Sequence, residues 1–223
     1  MKREETRERN RRALLDAALR IVARDGHQAR LDEIAGQAGL STGAVYSLFG
    51  SKDGLLTALA ADYLGPQYDE IERAVPAGLD LVAAVEAFAR YYRRKCDDPD
   101  ALRGLSLQAS MLDTAARDPD LGSRLAASVR AHEERLVALF TGRPHNGNMV
   151  TPQQAQRLAT ALRALFAGLS QGVLAGLAPG ADEQYFAEAA RALVSGASLL
   201  DQHAAPLPSG RRLTRRPTRR PPA

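Results

Sequence analysis

Apolar residues recur along this chain with a period near 3.6, and no segment shows the two-residue alternation of a half-buried strand. Leu14, Ala17, Ala18, Ile21 and Val22 form one stripe, which Asp25-Gly26 ends as a helix stop. Short helices are predicted over 31–38 and 42–49, separated by Gly39. A longer helix opens at Ser51, Lys52 and Asp53, runs toward Arg73 and is broken by Val75-Pro76. Further helices are predicted at about 79–96, 98–113 and 118–140. The stretch TGRPHNGNMVTP reads as a loop, and Thr151-Pro152 as an N-cap with Pro at the first helical position of a helix to about 177. Ala178-Pro179-Gly180 makes a turn before a last helix over about 182–202. The expected fold class is all-α, with about nine helices and no sheet. Residues 204–223 are rich in Arg and Pro with almost no apolar residues, and read as a disordered tail.

Residues 31–52, LDEIAGQAGLSTGAVYSLFGSK, hold two short helices on a tight turn. Such a pair needs a small residue where the helices touch, Gly at the left-handed turn position and an apolar set to fix the second helix. Ala35, Gly39 and the set Ile34, Ala38, Leu40, Val45 and Leu48 meet those needs, and Ser41 is placed as N-cap, its hydroxyl meeting a free backbone N–H. The spacing is that of a helix-turn-helix, whose second helix enters the major groove. An ordinary helical hairpin in an Ala-rich chain is the other reading. The shortness of both helices, the matched offsets and the basic helix in front favour DNA.

Charge adds to this picture. The chain has 223 residues and a net charge of +4, but the six Arg after residue 203 leave 24 basic against 26 acidic residues in the rest. Residues 1–30 carry nine Lys or Arg against five acids, so both ends are basic around an acidic middle. Basic ends suit a polyanion and equally suit solvated termini. The tail itself has two readings, nonspecific attraction to DNA or a silent extension. The composition, 45% hydrophobic and 25% charged, is that of an ordinary globular protein. A lone Cys96 excludes a disulfide framework and a multi-cysteine metal site. The charged start MKREETRERNRR and the lack of an apolar run of roughly 18 residues give the expectation of a soluble, cytoplasmic protein away from membranes.

The stretches LLDAALRIVARDG (14–26), LDEIAGQAGLSTGAVYSLF (31–49) and GSKDGLLTAL (50–59) together resemble the N-terminal domain of TetR-family transcriptional regulators. The resemblance implies an all-helical homodimer with a three-helix DNA-binding domain, here 1–50, and an effector-binding and dimerisation domain, here 51–203. The family usually represses transcription, and effector binding moves the two reading heads apart. Matching positions put Thr42, Gly43 and Ala44 against base edges, Ala44 meeting a thymine methyl. Tyr46 would offer its hydroxyl to a phosphate with its ring packed on the helix pair, and Lys52 would meet a phosphate beside the amides opening the fourth helix. Ser41, Ser47 and Arg30 complete the expected DNA-binding set, Arg30 contacting a phosphate or standing solvated. Arg9, Arg11 and Arg12, before or at the start of the first helix, are further phosphate candidates or plain surface charges. Three positions depart from the family's usual pattern: Thr42 replaces Lys, Leu48 replaces Asn or His, and Arg30 replaces a Ser or Thr cap.

In the second half, Gly168, Gly172 and Gly176 recur every four residues, and mid-helix glycines call for close approach of another helix. With Phe186 and Leu193 on a stripe of Phe186, Ala189, Leu193, Ala197 and Leu200, they are the dimer interface that the resemblance implies, since the family builds one from its last two long helices. An internal contact is the alternative. Phe88, Tyr91, Tyr92, Leu107, Met111 and Phe166 are candidates to line a pocket for a small, apolar effector, or are plain core. No catalytic constellation, cofactor motif or metal site is legible: His132-Glu133 is followed by Leu136 where a zinc helix needs His. The reading is a ligand-responsive regulator, a repressor released by an effector from a palindromic double-stranded operator. A helical small-molecule-binding protein with weak or nonspecific DNA binding is the alternative, kept open by Thr42, Ala44 and Leu48.

Overall fold

The structure, a computed structural model, describes residues 2–195, apart from the side chains of Ser128, Val129, Ala131 and His132. The predicted tail, Ala197, Leu200 and the far end of the last helix lie outside the described residues. Among these residues the chain forms nine α-helices: α1 (Lys2–Asp25), α2 (Leu31–Gln37), α3 (Thr42–Phe49), α4 (Lys52–Ala74), α5 (Leu81–Lys95), α6 (Ala101–Arg117), α7 (Pro119–Phe140), α8 (Pro152–Leu174) and α9 (Glu183–Ser195). A single 3-10 turn, Gly26–Gln28, follows α1.

Three sequence expectations need correction. The first helix starts well before its apolar stripe, so Arg9, Arg11 and Arg12 lie inside α1 rather than at its start. The loop before α8 contains a small antiparallel ribbon, β1 (Pro144–His145) and β2 (Asn148–Met149). Its turn is Asn146-Gly147, both at positive φ (49° and 77°), the geometry that suits a two-residue hairpin. Gly176 lies beyond the end of α8 with φ +70°, where the amides of Leu177 and Ala178 both bond the Gly172 carbonyl. It is a helix-ending glycine and no part of a helix face.

Two apolar clusters organise the chain. The first joins Leu14, Leu15, Ala18, Ile21 and Val22 of α1 to Ile34, Ala35, Val45, Leu55 and Leu59, with Leu48 packed partly against it. Leu107 of α6 and Leu121 and Leu125 of α7 complete this cluster, so the head rests on the body through buried side chains. The second is built on Phe88, Phe140, Phe166 and Phe186, all fully buried, with Tyr68 and Ile71 from the end of α4. Helix α4 therefore runs from one core into the other, and Pro66 interrupts its backbone ladder between them.

Buried Arg143 closes the far end of the body. Its guanidinium donates to the carbonyls of Pro76 (3.0 Å), Leu79 (2.7 Å) and Leu139 (2.6 Å), tying the α4–α5 loop to the end of α7. It has no carboxylate partner among the described residues, and burial pushes its pKa down.

Candidate nucleic-acid interface and ligand pocket

The turn between α2 and α3 follows from local chemistry. Gly39 takes φ +69°, and the Leu40 amide returns to the Ala35 carbonyl at 2.9 Å, closing α2 and turning the chain. Val45 is buried and anchors α3. A side chain at Gly54 would put its Cβ 2.0 Å from the Phe49 carbonyl oxygen, so only glycine lets the end of α3 sit on the first turn of α4. Ser51 caps α4 by accepting from the Gly54 amide at 3.0 Å.

With α3 fixed in this way, Thr42, Gly43, Tyr46 and Ser47 are exposed along one side, and Ala44 is half-buried. That side carries hydroxyls and no acid, a surface a polyanion can approach. Two details of the expected roles change. Ser41 has the extended backbone of an N-cap, but its exposed hydroxyl accepts no bond from the α3 amides. The Tyr46 ring is 56% exposed instead of packed on the helix pair, because the inward side of α3 is filled by Val45, Leu48 and Phe49.

The cations are arranged unevenly. Lys52 Nζ donates to the carbonyls of Ala29 and His27, stapling the start of α4 to the segment before α2. Arg30 is exposed and forks onto Asp32, at 3.1 and 2.7 Å, and its guanidinium holds the Asp32 carboxyl below the ordinary carboxylate range. Arg12 bridges Asp16 and Asp62, while Arg11 lies 5.8 Å above the Phe49 ring. Arg9 makes no ion pair among the described residues.

Residues 14–59 match the family described as bacterial regulatory proteins, tetR family. The match runs from the apolar stripe of α1 through α2 and α3 into the first turns of α4. The chain is 39% identical over 80 residues to the HTH-type nicotine-responsive transcriptional repressor HdnoR of Paenarthrobacter nicotinovorans, and 38% identical over 81 residues to the HTH-type transcriptional regulator BetI of Rhizobium meliloti (strain 1021). These matches take in 35% and 36% of this chain, and 39% and 40% of the two relatives. Across the whole fold, a TetR-family member of known structure from Streptomyces coelicolor A3 superposes with a TM-score of 0.62 at 24% identity, covering 83% of this chain and 98% of that one. The tetR-type head thus sits on a body of the same all-α architecture. The relatives from Paenarthrobacter nicotinovorans and Rhizobium meliloti both carry the names of transcriptional regulators.

A cavity of about 310 Å³ opens in that body between α4, α5, α6 and α8. Of the six residues expected to line it, Tyr92 alone does so. Phe88 and Phe166 are fully buried core, and Tyr91 is nearly so, its hydroxyl bonded to Glu70 at 3.1 Å. Leu107 and Met111 belong to the head's cluster instead. The walls are more polar than expected, with Tyr63, Gln67 and Glu70 from α4, Lys95 from the end of α5, Asp98 and Gln108 near and on α6, and Arg163 and Ser170 from α8. No sequence spacing marks these residues, since they come from separate helices. Helix α6 lines the cavity with its first turns and reaches the head with the rest: Ser110 lies against Gly26, and Asp113 meets His27 at 2.8 Å.

The expected dimer residues also divide. Phe186 is fully buried beside Phe166, and Leu193 packs on the same core, because the stripe of α9 faces inward. Gly172 packs on Ala178 of its own chain. Gly168 is exposed, with open space where a side chain would stand. Among the described residues no group of three or more His, Cys, Asp or Glu is placed to hold a metal, and no helix is long and apolar enough to cross a membrane.

Proposed function

We propose that the chain is a DNA-binding transcriptional regulator that represses from an inverted-repeat operator as a homodimer and leaves it when a small molecule fills the body cavity. The observation that carries this is the outward side of α3. Thr42, Gly43, Tyr46 and Ser47 are exposed together on a short helix whose other side is locked into the head. Two such helices in a dimer would enter successive major grooves about 34 Å apart. A strip of α8 supports the dimer: Ala164, Gly168, Gln171 and Ala175 are exposed at helical spacing, and Leu177 beyond them is 82% exposed. Small residues there let a second copy approach closely.

The route from cavity to head runs through α6, which touches both, and through α4, which shares both cores. A ligand that favours one placement of these helices shifts the heads by a coupling typically worth about 1–3 kcal/mol. The DNA reading is tested by selecting bound duplexes from a random pool at near-physiological salt. One inverted-repeat motif, lost in the Thr42→Ala/Tyr46→Ala variant, is expected. Retention without any motif, falling steeply with salt, would overturn specific regulation and favour a small-molecule-binding protein with nonspecific DNA affinity.

A further inference from the structure

Two carboxylates and one ammonium converge at the wall of the body cavity. Lys95 Nζ lies 2.9 Å from Glu70 and 3.4 Å from Asp98. The other charges lining the cavity are matched elsewhere, Asp100 by Arg103 at 2.6 Å and Arg163 by Glu133 at 3.6 Å. One negative charge is therefore left over where Glu70 and Asp98 meet. Both groups stay ionised at neutral pH, since the Lys95 ammonium holds Glu70 below its ordinary value and the Asp100 amide does the same for Asp98.

The neighbouring wall is aromatic. Tyr63 and Tyr92 border the cavity, and the Tyr92 ring is stacked on Phe166 at 5.1 Å. The Tyr92 hydroxyl makes no hydrogen bond among the described residues, and burial pushes its pKa up, so it remains a neutral donor and acceptor. Ring faces are electron-rich and attract cations. An anion would meet the surplus carboxylate and would have to draw Lys95 from Glu70 or Arg163 from Glu133 to find a partner. A wholly apolar molecule would strip water from carboxylates and a hydroxyl without replacing its bonds.

We propose that the cavity takes a small organic cation, an amine or quaternary ammonium carried on an apolar or aromatic group. Its charge lies beside Glu70 and Asp98, and its apolar part lies against Tyr92, Leu105 and Leu174. The volume, about 310 Å³, is at the small end of the range for ligand sites, which runs from about 300 to 1,000 Å³. This names the class of effector and rests on the effector reading above. It also revises the apolar effector expected from sequence, because the cavity wall holds charges that the sequence left scattered.

Titration calorimetry on the full chain without DNA tests it with three probes: benzyltrimethylammonium, its neutral carbon isostere neopentylbenzene, and 4-phenylbutyrate. The cation is expected to bind at least about tenfold tighter than either of the others. The Glu70→Gln/Asp98→Asn variant, checked for folding by circular dichroism, should lose that preference, and Ala167→Phe should block binding by filling the cavity. Equal binding of the three probes, tighter binding of the butyrate, cation binding unchanged in the double variant, or no binding of any probe would each overturn the proposal. Since no DNA is present, those failures leave the operator selection standing. A failed selection beside successful cation binding would overturn regulation alone.

Discussion

Replacing Leu107 by Ala removes one of three body side chains, with Leu121 and Leu125, that enter the head's core. Leu107 lies on α6, between the cavity-lining Leu105 and Gln108, and is fully buried in the cluster to which α1, α4 and the α2–α3 pair also contribute. The substitution removes the equivalent of three methylene groups, worth about 0.8 kcal/mol each, or about 2.4 kcal/mol of transfer energy. A residual cavity adds to this, at about 24 cal/mol per Å³ left unfilled, giving a total of about 3–4 kcal/mol. Urea unfolding followed by circular dichroism should show a lower midpoint with an unchanged slope. Amide exchange should rise first across residues 14–60, because the lost contact belongs to that cluster. Leu112→Ala is the matched control: the same helix and the same chemistry, but a side chain 71% exposed. A cost below about 1 kcal/mol for Leu107→Ala, or one equal to the control, would refute the view that α6 holds the head from inside its core.

Gly54→Ala should cost about 1–3 kcal/mol and weaken specific DNA binding, since its Cβ would meet the Phe49 carbonyl oxygen and α3 must shift; urea midpoints and binding to the selected duplex measure both. Arg143→Met should cost several kcal/mol, because each buried carbonyl left without a donor costs about 1–3 kcal/mol; thermal unfolding checks it, and a neutral result would contradict the clamp. Acid sensitivity should have a defined sign. Glu70 and Asp98 are held below their ordinary values of 4.5 and 3.8, Glu70 chiefly by the Lys95 ammonium and Asp98 chiefly by the Asp100 amide, with Lys95 adding to it. These contacts stabilise the fold at higher pH and are lost as pH falls through the lowered values. Urea midpoints should therefore be flat from neutral pH to about 5 and decline below about 4, with a shallower decline in Lys95→Gln.

Much of the architecture was legible because helices announce themselves locally. The α3 boundaries, 42–49, agree with expectation since Ser41 and Gly50 mark both ends, and Thr151-Pro152 marks α8 in the same way, there with a full capping box. The ribbon is hard to read from sequence although Asn146-Gly147 signals a hairpin, because two residues on each side are too short to show alternation. The cavity was least legible. Phe88 and Tyr92 lie four residues apart on α5, and only the packing of α5 against Phe166 of α8 separates the buried ring from the one that reaches the opening. Lys95 and Glu70 lie in different helices, and nothing in their spacing shows that they pair. The resemblance makes Lys52 a phosphate contact, while two backbone carbonyls that no side-chain pattern reveals accept from its ammonium.

Hydroxyl-radical footprinting of the full chain on its selected duplex tests the central claim most directly. A dimer presenting two α3 helices should protect two patches on one face of the DNA, centred about one helical turn, or about 34 Å, apart, and should lose both in the Thr42→Ala/Tyr46→Ala variant. A single protected patch, uniform protection along the duplex, or a pattern indifferent to those two substitutions would contradict it.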